Sequence, residues 1–466
     1  MNMIQRFTTL LLVAVLFQAC QTGSGKQGGK EPDAATLAGI LEESLFTEVL
    51  DLWYPRNIDS VNGGYVSSYN RDWSLSEGRQ AKALVQQARH VWATSFIYEH
   101  YPERKEFLAY ADHGFRFLAD KMWDPQYGGF YTMVAADGTP ARGRDGGKRI
   151  YGQAFAVYGL SQYYRVSANE EALDLAEKAF MWMDDHAHDP GYGGYFEILG
   201  EDGTPVEGGN GPGRGSGDSM MGGLKDYNSS IHLMEAFTEL YRVWPDSLVR
   251  NRLEEMFFLV RDTFTHPDGY LQLYFFPDWT LVSDDDFARR SGGSASFTNH
   301  ITYGHDVETA YLLLETAHVL GWGEDEETHR IAKKLVDHSI ASGWDTVNGG
   351  FFDAGKFTED GIVIIERHKS WWGQAEGLNA LLLMHTLYPD DPEDYYGKFL
   401  KMWEHIDHFL IDKEYGGWFN SSTDTYPENV DQAKSHIWKT TYHNSRAMVH
   451  CIEMLRSLSG DPPVHP

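Results

Sequence analysis

The stretch WDPQYGGFY, Trp123 to Tyr131, sets an acidic residue a few positions ahead of paired glycines and follows them with aromatics. The arrangement returns along the chain. NGGYV covers Asn62–Val66, YGGYFE covers Tyr192–Glu197, NGGFFD covers Asn348–Asp353 and YGGWFN covers Tyr415–Asn420, while DGYLQLYF, Asp268–Phe275, is a degraded copy. With the opening stretch these make six copies, spaced roughly 65–80 residues apart. A fixed period of this kind marks one supersecondary unit used repeatedly, and glycine pairs mark tight turns because glycine takes positive φ without steric cost.

Between the copies the apolar residues follow a helical period. Twelve helices are predicted, at about 36–54, 78–99, 103–121, 149–165, 170–187, 226–243, 247–263, 303–320, 325–341, 367–387, 394–411 and 439–458. Every Gly-Gly loop falls between an odd helix and the next even one, and the even-to-odd connections are short, as in YPE at Tyr101 and VWPD at Val243. Two helices per repeat and six repeats predict an all-α fold, an (α/α)6 barrel of six helical hairpins. Even helices lie inside, odd ones outside, and short β-hairpins from the loop aromatics cover one end. No single hairpin buries its apolar face alone, so closure of the ring stabilises each one. The long loops and the N-terminal ends of the inner helices then share one mouth, where polar residues at the starts of even helices converge.

Composition narrows the partners. The 466 residues include 39 basic and 68 acidic ones, a net charge of −29. Nucleic acid is not an expected partner, since phosphate binding needs basic patches. A hydrophobic content of 42% and an aromatic content of 14% support a large core.

Residues 1–19 read as a lipoprotein signal peptide. Arg6 supplies the positive region, and LLLVAVLF, Leu10–Phe17, is apolar but too short for a permanent span. Small Ala19 precedes Cys20, the expected lipidation site and membrane anchor. Residues 20–34, rich in Gly, Lys and Gln, form a flexible tether, and 35–466 the catalytic barrel. The expected location is the bacterial periplasm or cell surface. The only other cysteine, Cys451, sits in an apolar helical pattern and has no partner for a disulfide or a thiolate metal site.

Each inner helix opens with polar or aromatic groups. The second carries Arg89 and the fourth Tyr151. The sixth carries Asn228 and His232, four apart on one face. The eighth, YGHDVETAYLLLE from Tyr303 to Glu315, carries His305 and Glu308, three apart. The tenth carries Trp371, Trp372 and Glu376, and the twelfth Trp438 and His443. Taken singly, each has a structural explanation: a core histidine with its partners satisfied, a paired arginine, a packing tryptophan. Six helices doing the same at one end point to a pocket. Imidazole exchanges protons near neutral pH, a guanidinium stabilises developing negative charge, and indole faces suit the C–H faces of sugars. Three other chemistries stand beside this one. Histidines 232, 305 and 443 with Glu308 could in principle bind Zn, but HDVE lacks the spacing of zinc proteases. A glycoside hydrolase would use two carboxylates among Asp306, Glu308 and Glu376, leaving the histidines unexplained. A glycan-binding lipoprotein would keep the tryptophans without needing the histidines.

The segments QQARHVW, YGQAFAVYGL, NSSIHLMEAFTELYR, YGHDVETAYLLLE, SWWGQAEG and WKTTYHNSRA occur in this order. Through them the chain resembles the N-acylglucosamine 2-epimerase superfamily, and within it the cellobiose 2-epimerases. The resemblance implies that His305 and His443 are the acid/base pair, that Glu308 supports His305, and that His232 assists ring opening. It implies that Arg89, Tyr151 and Asn228 bind the reacting sugar. Trp372 stacks on that sugar with Trp371 beside it, and Trp438 stacks on the next sugar out. The implied substrate is a disaccharide whose reducing-end C2 is inverted through an enediolate, with aldose–ketose isomerisation the nearest alternative. No metal, nicotinamide or nucleotide cofactor is expected. Two Gly-rich stretches depart from the family pattern, Glu201–Asn228 and the one before the eighth helix.

Overall fold

The helical period read between the glycine loops is realised as two concentric rings. In a computed structural model, residues 32–140, 147–206, 222–291 and 300–460 are described. The signal peptide, Cys20, most of the tether and residues 207–221 and 292–299 of the two Gly-rich stretches lie outside them. The inner helices are α2 (Leu84–His100), α4 (Ile150–Ser167), α6 (Tyr227–Val243), α8 (Tyr303–Leu320), α10 (Trp371–Leu387) and α12 (Tyr442–Ser459). Each packs against the next, and α12 packs back on α2, closing the ring. The outer helices are α1 (Ala34–Ser44), α3 (Glu106–Phe117), α5 (Glu170–Ala187), α7 (Ser247–Phe258), α9 (Glu326–Gly343) and α11 (Tyr395–His405). α3 to α11 each lean on the inner helix before or after them, and α1 leans on α12.

Burial separates the two rings. In α2 every residue from Leu84 to Ile97 is buried, which is the signature of a helix surrounded by protein. In α5 the buried set Ala172, Leu175, Ala176, Ala179, Phe180 and Met183 makes one stripe facing inward. Several outer helices end in a π turn that leads straight into a loop: Leu118–Met122, Leu259–Phe264 and Ile406–Leu410. None of the described helices is long and apolar enough to cross a membrane.

The loops are held by a repeated staple. Asp124 accepts the backbone N–H of Gln126 at 2.9 Å, and Lys148 reaches its second oxygen at 2.8 Å and the carbonyl of Gly128 at 2.6 Å. Gly129 is at φ +66, and a Cβ there would stand 2.9 Å from Trp182. Lys82–Asp59, Lys225–Asp189 and Lys369–Asp345 repeat the pair at 2.7–2.8 Å. Each of these lysines lies two residues before its inner helix. Before α8 that place is taken by Ile301, and the fourth loop has no such staple among the described residues.

The expected β-hairpins are present in part. β8 (Ala354–Thr358) and β9 (Gly361–Glu366) form one. Most of the short strands instead join one repeat to the next. β1 (Lys82–Ala83) pairs with β2 (Met133–Val134), β3 (Lys148–Arg149) with β4 (Ile198–Leu199), β5 (Lys225–Asp226) with β6 (Tyr274–Phe275), and β7 (His300–Thr302) with β8. Tyr69 bridges to Ser435, and Arg71 meets Asp412 at 3.0 Å, so the first and last repeats are tied at the same end. A short helix at Asp284–Ser291, which the apolar period does not reveal, precedes β7.

Candidate active site

The α12 sequence YHNSRA sets Tyr442, His443 and Arg446 on neighbouring turns of one buried face. Arg446 is fully buried and lies at the meeting point of four inner helices. Its guanidinium donates to Glu235 of α6, to Glu308 of α8 and, at 2.7 Å, to Glu376 of α10. Three buried carboxylates are tolerable only around such a fork, because an unpaired charge here would carry a large desolvation penalty. Burial works to raise Glu235, but Arg446 and His232 outweigh it and hold the carboxyl down at about 2. At Glu376 burial wins over Arg446, and its carboxyl is raised.

The imidazoles stand on this platform. His443 Nδ1 lies 2.7 Å from Glu376 Oε1 and 3.8 Å from Glu308 Oε1. His232 Nδ1 lies 2.8 Å from Glu235 Oε2. A carboxylate at Nδ1 accepts that proton and leaves Nε2 for other partners. His305 is different: its Nδ1 lies 3.1 Å from the Tyr227 hydroxyl. Burial holds that phenol well above its ordinary range, so it keeps its proton to donate. The His305 ring lies 4.5 Å from the Trp372 ring and the His443 ring 5.7 Å from it, so both imidazoles flank one indole. Burial pushes both well below the ordinary imidazole range. The neighbouring histidines add to this at His305, while Glu308 opposes it at His443.

Glu308 shares two triads, one with His232 and His305 and one with Glu376 and His443, whose atoms all lie within 4.8 Å of one another. Arg446 already donates to one oxygen of Glu308 and one of Glu376, so a divalent cation at their other oxygens would stand beside a guanidinium. The donor set fits proton exchange better than metal binding.

Across the pocket, Arg89 donates to the Tyr151 hydroxyl at 2.8 Å and to the Trp438 carbonyl at 3.1 Å. Its partners are therefore a phenol and a carbonyl, and no carboxylate pairs with it among the described residues. Asn228 has a buried Oδ1 with no partner, as do Glu308 and Glu376 at Oε2, all acceptors suited to hydroxyl groups. Trp438 is 44% exposed at the rim.

Two expectations need correction. Trp371 does not lie beside Trp372 in the pocket; it is buried, with His436 edge-on at 5.6 Å and Lys439 over its ring. Successive helical residues point about 100° apart, so only one of the pair faces inward. Glu308, expected to support His305, makes no hydrogen bond to it: it binds Arg446 and lies within 4.8 Å of the imidazole, while Tyr227 meets Nδ1. Sequence reasoning missed Tyr227, Glu235, Tyr442 and Arg446. The spacings His232–Glu235 and His443–Arg446, each three apart, carried a usable signal.

The N-acylglucosamine 2-epimerase family model matches residues 63–447. The chain belongs to the N-acylglucosamine 2-epimerase family. A cellobiose 2-epimerase of Bacteroides fragilis is 30% identical over 417 residues, covering 89% of this chain and 97% of its relative. The solved cellobiose 2-epimerase of Bacillus thermoamylovorans superposes with a TM-score of 0.77 at 25% identity, covering 90% of this chain and 99% of the other. That of Spirochaeta thermophila gives 0.76 at 29%, covering 91% and 98%. The match spans every inner helix start described above, so this member of the N-acylglucosamine 2-epimerase family carries its polar cluster inside the shared domain. Membership makes it a carbohydrate epimerase or isomerase.

Proposed function

We propose that this protein is a sugar 2-epimerase that inverts C2 at the reducing end of a cellobiose- or mannobiose-like disaccharide. The observation that carries this reading is the pair of imidazoles, His305 and His443, flanking Trp372. The names of the relatives support the disaccharide.

The C2 proton of an aldose becomes acidic only once the ring opens and C1 is a carbonyl. His232, backed by Glu235, is suited to move the proton that opens the ring. One neutral imidazole then takes the C2 proton, and the electron pair moves to the C1 oxygen, giving an enediolate. Arg89, fixed by Tyr151, is suited to stabilise that oxygen. The other imidazole, in the fraction of molecules where it carries a proton, which Glu308 favours at His443, returns that proton to C2 from the opposite face. The two exchange roles in the reverse direction.

Trp372 offers its face to the reacting ring and Trp438 to the next sugar. The lipobox-like segment ending at Cys20 supports export and lipid anchoring. Mass spectrometry of the protein from its native membrane tests that part by the presence or absence of a diacylglyceryl group on Cys20.

Incubation with cellobiose or mannobiose in deuterated water, followed by NMR, tests the reaction. The C2-inverted aldose with deuterium at C2 is the expected product. A ketose would make the protein an isomerase, monosaccharides a hydrolase, and unchanged sugar a binding protein.

A further inference from the structure

Three inner helices carry glutamine as their fourth residue, and each glutamine does the same thing. Gln87 accepts the backbone N–H of Tyr65 at 2.7 Å and donates to the carbonyl of the same residue at 3.0 Å. Gln153 does so with Phe130, at 2.8 Å both ways, and Gln374 with Phe351, at 2.9 Å both ways. Each clamped residue directly follows a glycine pair, so the glutamine ties the loop to the first turn of its inner helix.

The fourth residue of α8 is Asp306, next to His305. Its Oδ1 accepts the N–H of Leu271, the residue of the fourth loop that matches the clamped position, at 3.0 Å. Its Oδ2 is buried and without a hydrogen-bond partner, and the side chain is 0% exposed. The titratable groups facing it are phenols, Tyr227 of α6, Tyr270 of the fourth loop and Tyr303 of α8, and His305 is its neighbour in the chain. No cation pairs with it among the described residues. A carboxylate held there by one N–H would carry a heavy desolvation cost. Only with its proton does an aspartate reproduce the accept-and-donate pair that glutamine makes in three other repeats.

We propose that Asp306 is a carboxylic acid that keeps its proton at neutral pH and acts as a positioning residue, clamping the fourth loop and aiming His305. Burial raises its carboxyl well above the ordinary range, in keeping with this. The neutral state matters for His305, because a carboxylate beside it would favour the imidazolium and oppose its use as a base. Among the described residues the fourth loop also lacks the lysine–aspartate staple, so the Asp306 clamp carries the attachment that two devices share in the first, second and fifth loops.

The positioning role rests on the epimerase reading; the protonation state does not. Infrared difference spectroscopy of the full-length protein against Asp306→Asn at pH 7 reads the protonation directly. A protonated-carboxyl C=O band lost in the variant is expected, and its absence overturns the proposal whatever the protein catalyses. In kinetics on cellobiose, Asp306→Asn is expected to keep kcat within about twofold and the same acid limb of the pH profile, since an amide supplies the same bonds. Asp306→Ala is expected to lower kcat roughly tenfold with little change in KM. An Asp306→Asn variant whose acid limb moves down by about one pH unit, as loss of a carboxylate would cause, overturns the proposal even if Asp306→Ala fails to fold.

Discussion

Nδ1 of His443 lies 2.7 Å from Oε1 of Glu376, and Arg446 Nη2 lies 2.7 Å from that same oxygen. The carboxylate therefore fixes the imidazole, and the guanidinium fixes the carboxylate. Glu376→Gln leaves the shape but removes the charge that supports the imidazolium. The expected result is a loss of about 10²-fold in kcat with little change in KM, measured in steady state on cellobiose.

Arg446 answers three buried carboxylates at once. Arg446→Met strands them, and breaking a buried ion cluster from one side costs about 3–5 kcal/mol. Urea denaturation is expected to give an unfolding free energy lower by that amount, read as a lower midpoint at unchanged m. An unchanged midpoint would mean that the carboxyls are protonated in the folded protein and do not need the guanidinium.

The catalytic pH profile follows from burial. Both His305 and His443 are pushed well below the ordinary imidazole value. The neutral base therefore persists as pH falls through 6.5, and the acid limb of kcat/KM is expected below that point. A limb at or above 6.5 would place the essential base in a solvated setting.

His90 gives a stability signature with a definite sign. It is 0% exposed, its Nδ1 lies 2.7 Å from the Tyr54 hydroxyl, and its Nε2 accepts from Asn57 at 3.0 Å. Burial lowers it to about 3, from 6.5. Between these values the unfolded chain binds a proton that the folded protein does not, so stability falls as pH falls. The slope from this residue is about 1.4 kcal/mol per pH unit. Unfolding free energies from urea titrations at pH 7 to pH 4 are expected to fall less steeply with falling pH in His90→Gln than in the wild type, by that slope below pH 6.5.

Trp438 stands 44% exposed at the rim, with its carbonyl held by Arg89. Trp438→Ala removes the stacking face and leaves that carbonyl in place. A KM rise of roughly fivefold for cellobiose, about 1 kcal/mol, is expected, with a smaller change for a monosaccharide. Equal changes for both sugars would remove Trp438 from the outer subsite.

The fold was legible because its punctuation repeats. Gly128–Gly129 and their counterparts mark turns that only glycine takes cheaply, and the helices between them announce themselves by period. The helix predicted from residue 78 begins only at Leu84, because Gly78 to Ala83 alternate apolar and polar in a helical order while forming the end of a turn and β1. The π turns were invisible, since a turn widened by one residue leaves the apolar pattern nearly intact. At the site, His305, His443, Arg89 and Tyr151 stood out as polar groups on apolar helices. Arg446 and Glu235 did not, because they meet each other across 211 residues of chain. Tyr227 looked like one more core aromatic until its hydroxyl was found on His305.

The central claim is that two imidazoles serve opposite faces of one carbon, and C2 hydrogen exchange in single variants tests it most directly. His305→Asn and His443→Asn would each be incubated in deuterated water with the gluco and the manno disaccharide separately. Inversion is expected to be lost in both variants, while each still exchanges the C2 hydrogen of one epimer, a different one in each. Full inversion by either variant, or exchange of the same epimer by both, would contradict it.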